Sequence, residues 1–127
     1  MIFKTDLITL SHVETFHYYD FPRLFSARDE QGNLYLVNNI DLRELGDLNY
    51  IDDFLAVPVS EDRLKQIVAG EIDLHDAFRL AEGGRGIWFE HPWGEESPNK
   101  HVETAREVIL AELEEDLFVK PGVTLKE

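Results

Sequence analysis

The residues whose types could do chemistry are five histidines, an Asp-Asp pair, a serine at an apparent helix start and a glycine-rich GGRG. His12, His17, His75, His91 and His101 fall in different segments with no H-E-x-x-H or similar spacing. Only His17 and Asp20, in HYYD, stand three apart, so a metal site would have to be assembled in three dimensions. Asp52 and Asp53 are of the type used in pairs for acid-base work, but neighbours on an extended chain point to opposite faces. In the polar stretch DLRELGDLNYIDD they read as solvated loop charges.

Ser60 heads SEDRL. Its hydroxyl suits an N-cap, Glu61 and Asp62 suit the positive end of the helix dipole, and Val59 with Leu64 occupy the two positions of a hydrophobic staple. A phosphate site needs that positive end vacant. A serine nucleophile needs a base and usually a glycine-flanked elbow. The joint therefore reads as structural. GGRG, residues 83 to 86, follows a helix pattern and leads into a strand pattern, the reverse of a nucleotide-binding loop, and reads as a helix stop.

IWFEHPWGEE, residues 87 to 96, is the stretch best suited to a binding surface. Trp88, inside an apparent strand, reads as core. Trp93 lies in a Pro/Gly loop beside His91, Glu95 and Glu96, and an aromatic with a polar rim is the usual form of a binding hot spot. A lid on the core is the competing role for the same ring. Tyr18 and Tyr19, next to Asp20, carry the same two readings. Trp93, His91, Glu95, Glu96, Tyr18, Tyr19 and Asp20 are thus the expected binding residues. No catalytic residue, metal ligand or cofactor is assigned.

Several elements must position them. Two apolar runs flank Asp29-Glu30-Gln31-Gly32-Asn33 in RLFSARDEQGNLYLVNNI, which predicts a hairpin closed by a positive φ at Gly32. Upstream, IFKTDLITL and HVETF suit a strand or two, with HYYDFP as a corner. Residues 41 to 53 read as a loop, FLAVPV as a short strand buried on both faces, and IWFE as another strand. Leu64, Ile67 and Val68 recur at helical spacing after Ser60, Gly70 suits a left-handed cap, and Asp73 opens a second short helix. Residues 102 to 117 keep helical spacing, although Val108-Ile109-Leu110 would also suit a strand. The expected fold is α+β: an antiparallel sheet of four or five strands with two or three short helices packed on one side, forming a single globular domain over residues 1–127.

Composition narrows the partners. The chain has 43% hydrophobic residues, enough for a core, and no cysteine, which excludes disulfides, thiolate metal sites and a cysteine nucleophile. MIFKTDLITLSHVETF lacks the basic start and unbroken apolar stretch of a signal peptide, so a cytoplasmic location is expected. The 26 acids outweigh 12 bases for a net charge of −14. Residues 1–63 hold 12 acids and 5 bases, residues 64–127 hold 14 and 7, so each half carries −7 and no acidic tail accounts for the total. Such a field repels nucleic acid and anionic membrane and attracts a basic partner; solubility alone is the competing account.

YYDFPRLFSARDEQGNLYLV, followed by FLAVPVSEDRLKQIVAGEIDLHDAF, resembles a small bacterial family of unknown function. In that family a YD-P-LF-A-D-GN-YL hairpin precedes an L-x-V-P-V-S-E-x-R-L strand-helix joint and a G-x-I-x-L-x-x-A helix pair. The resemblance covers residues 18 to 78, and KPGVTL is similar to the family's terminal turn. It implies the α+β arrangement and a prokaryotic or phage origin, and it transfers no catalytic residue.

The function expected from these observations is a protein-interaction module of inhibitor, antitoxin or immunity type that binds a basic partner. A small-ligand-binding domain or small enzyme with its site at residues 91–96, and a homodimer through an uncovered sheet edge, are the alternatives.

Overall fold

Asp29 N–H donates to the Asn33 carbonyl and Gly32 N–H to the Asp29 carbonyl, both at 3.0 Å, and Gly32 has φ 85°, so the expected hairpin is present. Pairing continues from it in both directions. In this computed structural model, which describes residues 2–46, 49–93 and 104–125 but not the side chains of Phe21, Leu45, Asn49 and Trp93, seven strands form one antiparallel sheet in sequence order. They are β1 (Ile2–Lys4), β2 (Thr9–Tyr19), β3 (Phe21–Arg28), β4 (Leu34–Gly46), β5 (Asn49–Pro58), β6 (Arg85–Trp93) and β7 (Ala105–Ile109). Two short helices, α1 (Glu61–Val68) and α2 (Leu74–Arg79), lie between β5 and β6.

The sheet curls into a half-barrel. Phe3 of the edge strand β1 reaches Phe25, Phe54 and Phe89 on β3, β5 and β6, with ring centroids 5.4 to 5.5 Å apart, which only a curled sheet permits. Register shifts at His12/Glu14 and Thr15/His17 on β2 and at Asn39/Asp41 on β4 mark bulges, which bend a strand and increase its twist. The phenylalanines, with Leu10, Ala27, Val37 and Ala56, fill the concave face. Leu24, Leu36, Leu55 and Val57 fill the convex face beneath Ile67 of α1 and Leu74, Ala77 and Phe78 of α2. Phe54 to Val57 therefore alternate between two cores, as the unbroken run FLAV implied.

The helix signals hold. Ser60 accepts from Arg63 N–H at 3.1 Å, Gly70 follows α1 with φ 80°, and Asp73 caps α2 through Asp76 N–H at 2.8 Å. Gly83 and Gly84 both have positive φ and end the helical region ahead of β6.

The expected α+β arrangement of four or five strands with two or three helices on one side is overturned by this seven-stranded, mostly-sheet fold. The described residues between 41 and 53 are strand and not loop: β4 and β5 pair from Tyr35↔Pro58 out to Gly46↔Asn49. The strands run past the cores, and there the main-chain ladder and cross-strand ion pairs hold them, leaving no apolar period to read. Over 105–117 the chain forms β7 and two 3-10 turns, Leu110–Glu112 and Glu115–Leu117, instead of a third helix. Among the described residues no helix is long and apolar enough to cross a membrane.

Candidate functional site

The sheet has two ends, and each gathers a different set of polar residues. Strands β2, β4 and β6 finish at one of them, the turn end. Tyr18 and Tyr19 close β2 there, 65% and 68% exposed, and Asp20 forms the turn with φ 66°. The Tyr18 hydroxyl donates to the Asp20 carbonyl at 3.1 Å. On the concave face, Arg23 Nε donates to the Tyr19 carbonyl at 3.0 Å, and its Nη1 donates to Asn39 Oδ1 at 2.8 Å and Asp52 Oδ1 at 3.3 Å. Asn39 Nδ2 also donates to Asp52 Oδ1, at 3.0 Å. Asp52 is 1% exposed and faces His91 in register, and the His91 ring packs edge-on against Phe3 at 5.3 Å.

The convex face at the same end carries a second set. Arg43 grips Asp53 with Nε at 3.1 Å and Nη2 at 3.0 Å, and Nη2 also donates to Glu90 at 2.9 Å. The hydrogen bond to Asp53, reinforced by Glu90, raises the Arg43 pKa further. The expected divergence of Asp52 and Asp53 to opposite faces is present. Their expected solvation is not, because both side chains are buried and bound by arginine.

Of the expected binding residues, Tyr18, Tyr19, Asp20 and His91 thus belong to one end of the sheet. Arg23, Asn39 and Asp52 join the tyrosine turn to the β5–β6 pair; the sequence pattern singles out neither Arg23 nor Asn39 and presents Asp52 only as a loop charge. His91 and Trp93 lie within β6 rather than in a loop, with Trp93 opposite Tyr50; the Trp93 side chain, Glu95 and Glu96 lie outside the described residues. Trp88 is half-buried on the convex face with the Arg106 guanidinium 4.5 Å from its ring.

One histidine lies among carboxylates. Asp73, His75 and Asp76 offer ligand atoms within 4.8 Å of one another. Those atoms already have partners: Asp73 accepts from the N–H groups of Asp76 and Gly122 at 2.8 and 2.7 Å, His75 Nδ1 meets Asp76 at 2.9 Å, and His75 Nε2 meets Glu115. Hydrogen bonding to Asp76, together with Glu115, raises the His75 pKa above 6.5. The arrangement ties α2 to the C-terminal segment. His12, by contrast, has its pKa lowered, first by burial; His101 lies outside the described residues.

The opposite end holds a cleft of about 520 Å³. Ile8, Tyr35, Pro58 and Ile87 supply its apolar lining, joined by Leu7, which is 54% exposed. Asp29, Glu30 and Glu107 line it against one cation, Arg85. Burial pulls the Asp29 pKa upward, but hydrogen bonds from the Asn33 side chain and from the N–H groups of Asn33 and Gln31 outweigh it and hold the carboxyl below its ordinary range. Burial, then the Asp29 charge, raises the Tyr35 pKa. Glu30 accepts from Thr9 N–H at 3.2 Å. Arg85 and Glu107 have no ion pair or side-chain hydrogen bond among the described residues. Packing at Gly86 is tight: a Cβ there would lie 3.0 Å from the Ala56 carbonyl oxygen and 3.1 Å from Leu55 Cδ1.

The cleft escaped sequence reading because its walls come from separate segments: the β1–β2 turn, the β3–β4 turn, the end of β5, the start of β6 and β7. Chemically it suits an apolar stem bearing a positive charge.

Residues 1–85 match a family described as a family of unknown function (DUF6575). The match spans most of the chain, and the chain belongs to that family. It takes in β1 to β5 and both helices and ends as β6 begins. No curated protein and no solved structure matches.

Proposed function

We propose, for this member of a family of unknown function, a non-catalytic role: a protein-interaction module that binds a basic protein partner through the cleft, in the manner of an inhibitor, antitoxin or immunity protein. The observation that carries this reading is the cleft's lining, three carboxylates and one arginine around apolar walls, in a chain of net charge −14. A lysine or arginine side chain suits it twice over, since its methylene stem covers apolar surface while its head meets carboxylate. The general negative field adds long-range attraction, which raises the association rate and weakens with salt.

The test is charge reversal at the cleft. Immobilised protein is expected to capture a basic protein from a lysate of its host at low ionic strength. Glu30→Lys combined with Glu107→Lys is expected to lose that protein while keeping the wild-type circular dichroism spectrum. Capture that is unchanged by the double reversal, or that does not weaken with salt, would overturn the assignment.

A further inference from the structure

We infer that the seam between the β1–β2 turn and β7 takes up an extended segment of the basic partner as an added strand on β7, with a lysine or arginine of that segment opposite Glu107. This rests on the reading above and states how the partner is held.

The half-barrel curls far enough for Phe3 of β1 to touch Phe89 of β6, yet β1 and β7 stand at the two ends of the strand order and do not pair. One hydrogen bond among the described residues spans the gap: the Asp6 carboxylate accepts from Ala105 N–H at 3.0 Å. The seam borders the cleft, since Leu7 and Ile8 line it from the β1–β2 turn and Glu107 from β7.

The ladder sets which backbone groups of β7 face the seam. Glu90 N–H donates to the Thr104 carbonyl at 2.9 Å, and Phe89 stands opposite Ala105. Main-chain groups in an antiparallel pair alternate in direction, so those of residues 104, 106 and 108 turn toward β6 and those of 105, 107 and 109 turn away. Asp6 takes the N–H of Ala105. The N–H and C=O of Glu107 and the N–H of Ile109 are left facing outward with no partner among the described residues, while the Ile109 carbonyl opens the following 3-10 turn. They form a short free edge of the kind that binds an extended peptide by main-chain hydrogen bonds.

Charge selects the occupant. Glu107 lies on the concave face opposite Ile87, with no cation paired to it among the described residues. A second copy of this chain fits poorly, because antiparallel pairing of two β7 strands about Glu107 would set the two carboxylates opposite each other. A cationic residue at that position fits, and exposed Leu7 and Ile109 offer apolar surface to its neighbours. The shortness and charge of the edge also guard it against indiscriminate pairing.

The probe is a synthetic peptide of about seven residues, a common strand length, alternating valine and threonine with arginine at its centre. One control has glutamate at the centre and the other carries N-methyl groups on alternate amides. The arginine peptide is expected to bind the full chain in a calorimetric titration and to slow hydrogen exchange at the Glu107 and Ile109 amides. N-methylation and Ile109→Pro, which removes an N–H that makes no ladder bond, are each expected to abolish this. Glu107→Lys is expected to weaken binding about tenfold. If Ile109→Pro disturbs folding, the N-methylated peptide decides alone. Equal binding of the methylated and unmethylated peptides, with Glu107→Lys still defective, would overturn strand addition and leave the acidic-cleft reading standing. No binding of the arginine peptide, or equal binding of the glutamate peptide, would remove both.

Discussion

The two ends of the half-barrel use charge in opposite ways. At the turn end Arg23 and Arg43 are matched to Asp52 and Asp53 across strands, and both carboxylates are buried. At the cleft end Arg85 and Glu107 stand on the concave face with no ion pair among the described residues. The first set holds strands together where the ladder runs past the cores. The second set leaves its field directed outward. A count of 26 acids cannot separate these uses, because it gives the same weight to a carboxylate inside an arginine fork and to one facing solvent.

Mutation at each end can break that contrast. Asp52→Ala has the largest expected effect, a loss of about 3–5 kcal/mol in chemical denaturation, because it removes the buried counter-charge of a mostly buried guanidinium and an acceptor of the Asn39 amide. Asp53→Ala is expected to cost less, about 1–3 kcal/mol, since Arg43 is 42% exposed and keeps Glu90. A loss at Asp53 equal to that at Asp52 would remove the ranking.

His75, remote from both ends, supplies a pH-dependent reference. Its folded pKa is raised above 6.5 by Asp76 and Glu115, so the stability it adds is fully present below that value and is lost as pH rises through the folded pKa. The melting-temperature gap between wild type and His75→Gln should therefore be wider near about pH 6 than near about pH 9. A gap that widens at alkaline pH would contradict the bridge. The smallest effect belongs to the cleft end: Glu107→Gln should change stability by no more than about 0.5 kcal/mol, as for a surface site without partners. A larger loss in the same denaturation assay would mean that the cleft charges, too, are structural.

The local signals proved legible where physics acts over a few residues. Ser60, Gly70 and Asp73 mark helix ends through bonds to their own neighbours, and Gly32 closes a turn within five residues. FLAV announced a strand buried on both faces because no polar side chain interrupts it. The sheet's extent was hidden for the converse reason. Between Asp41 and Asp53, the side chains of Arg43, Asp52 and Asp53 find partners 10 to 47 residues away, such as Arg43 with Asp53 and Glu90, and nothing in the local pattern reports those partners. Helical spacing over 102–117 misled in a similar way, because β7 is an edge strand whose half-exposed faces impose no strict alternation.

The sequence by itself determined the ends of α1 and α2, the DEQGN hairpin, the two-faced character of FLAV, the absence of cysteine chemistry and a net charge of −14. Only the tertiary structure decided that seven strands pair in order, that their curl brings Phe3 onto Phe89, and that Leu7, Asp29, Arg85 and Glu107 border one cleft. Caps and turns are short-range and are encoded where they occur. Curl accumulates through bulges and twist over many paired strands, so the seam it leaves belongs to no single segment of the chain.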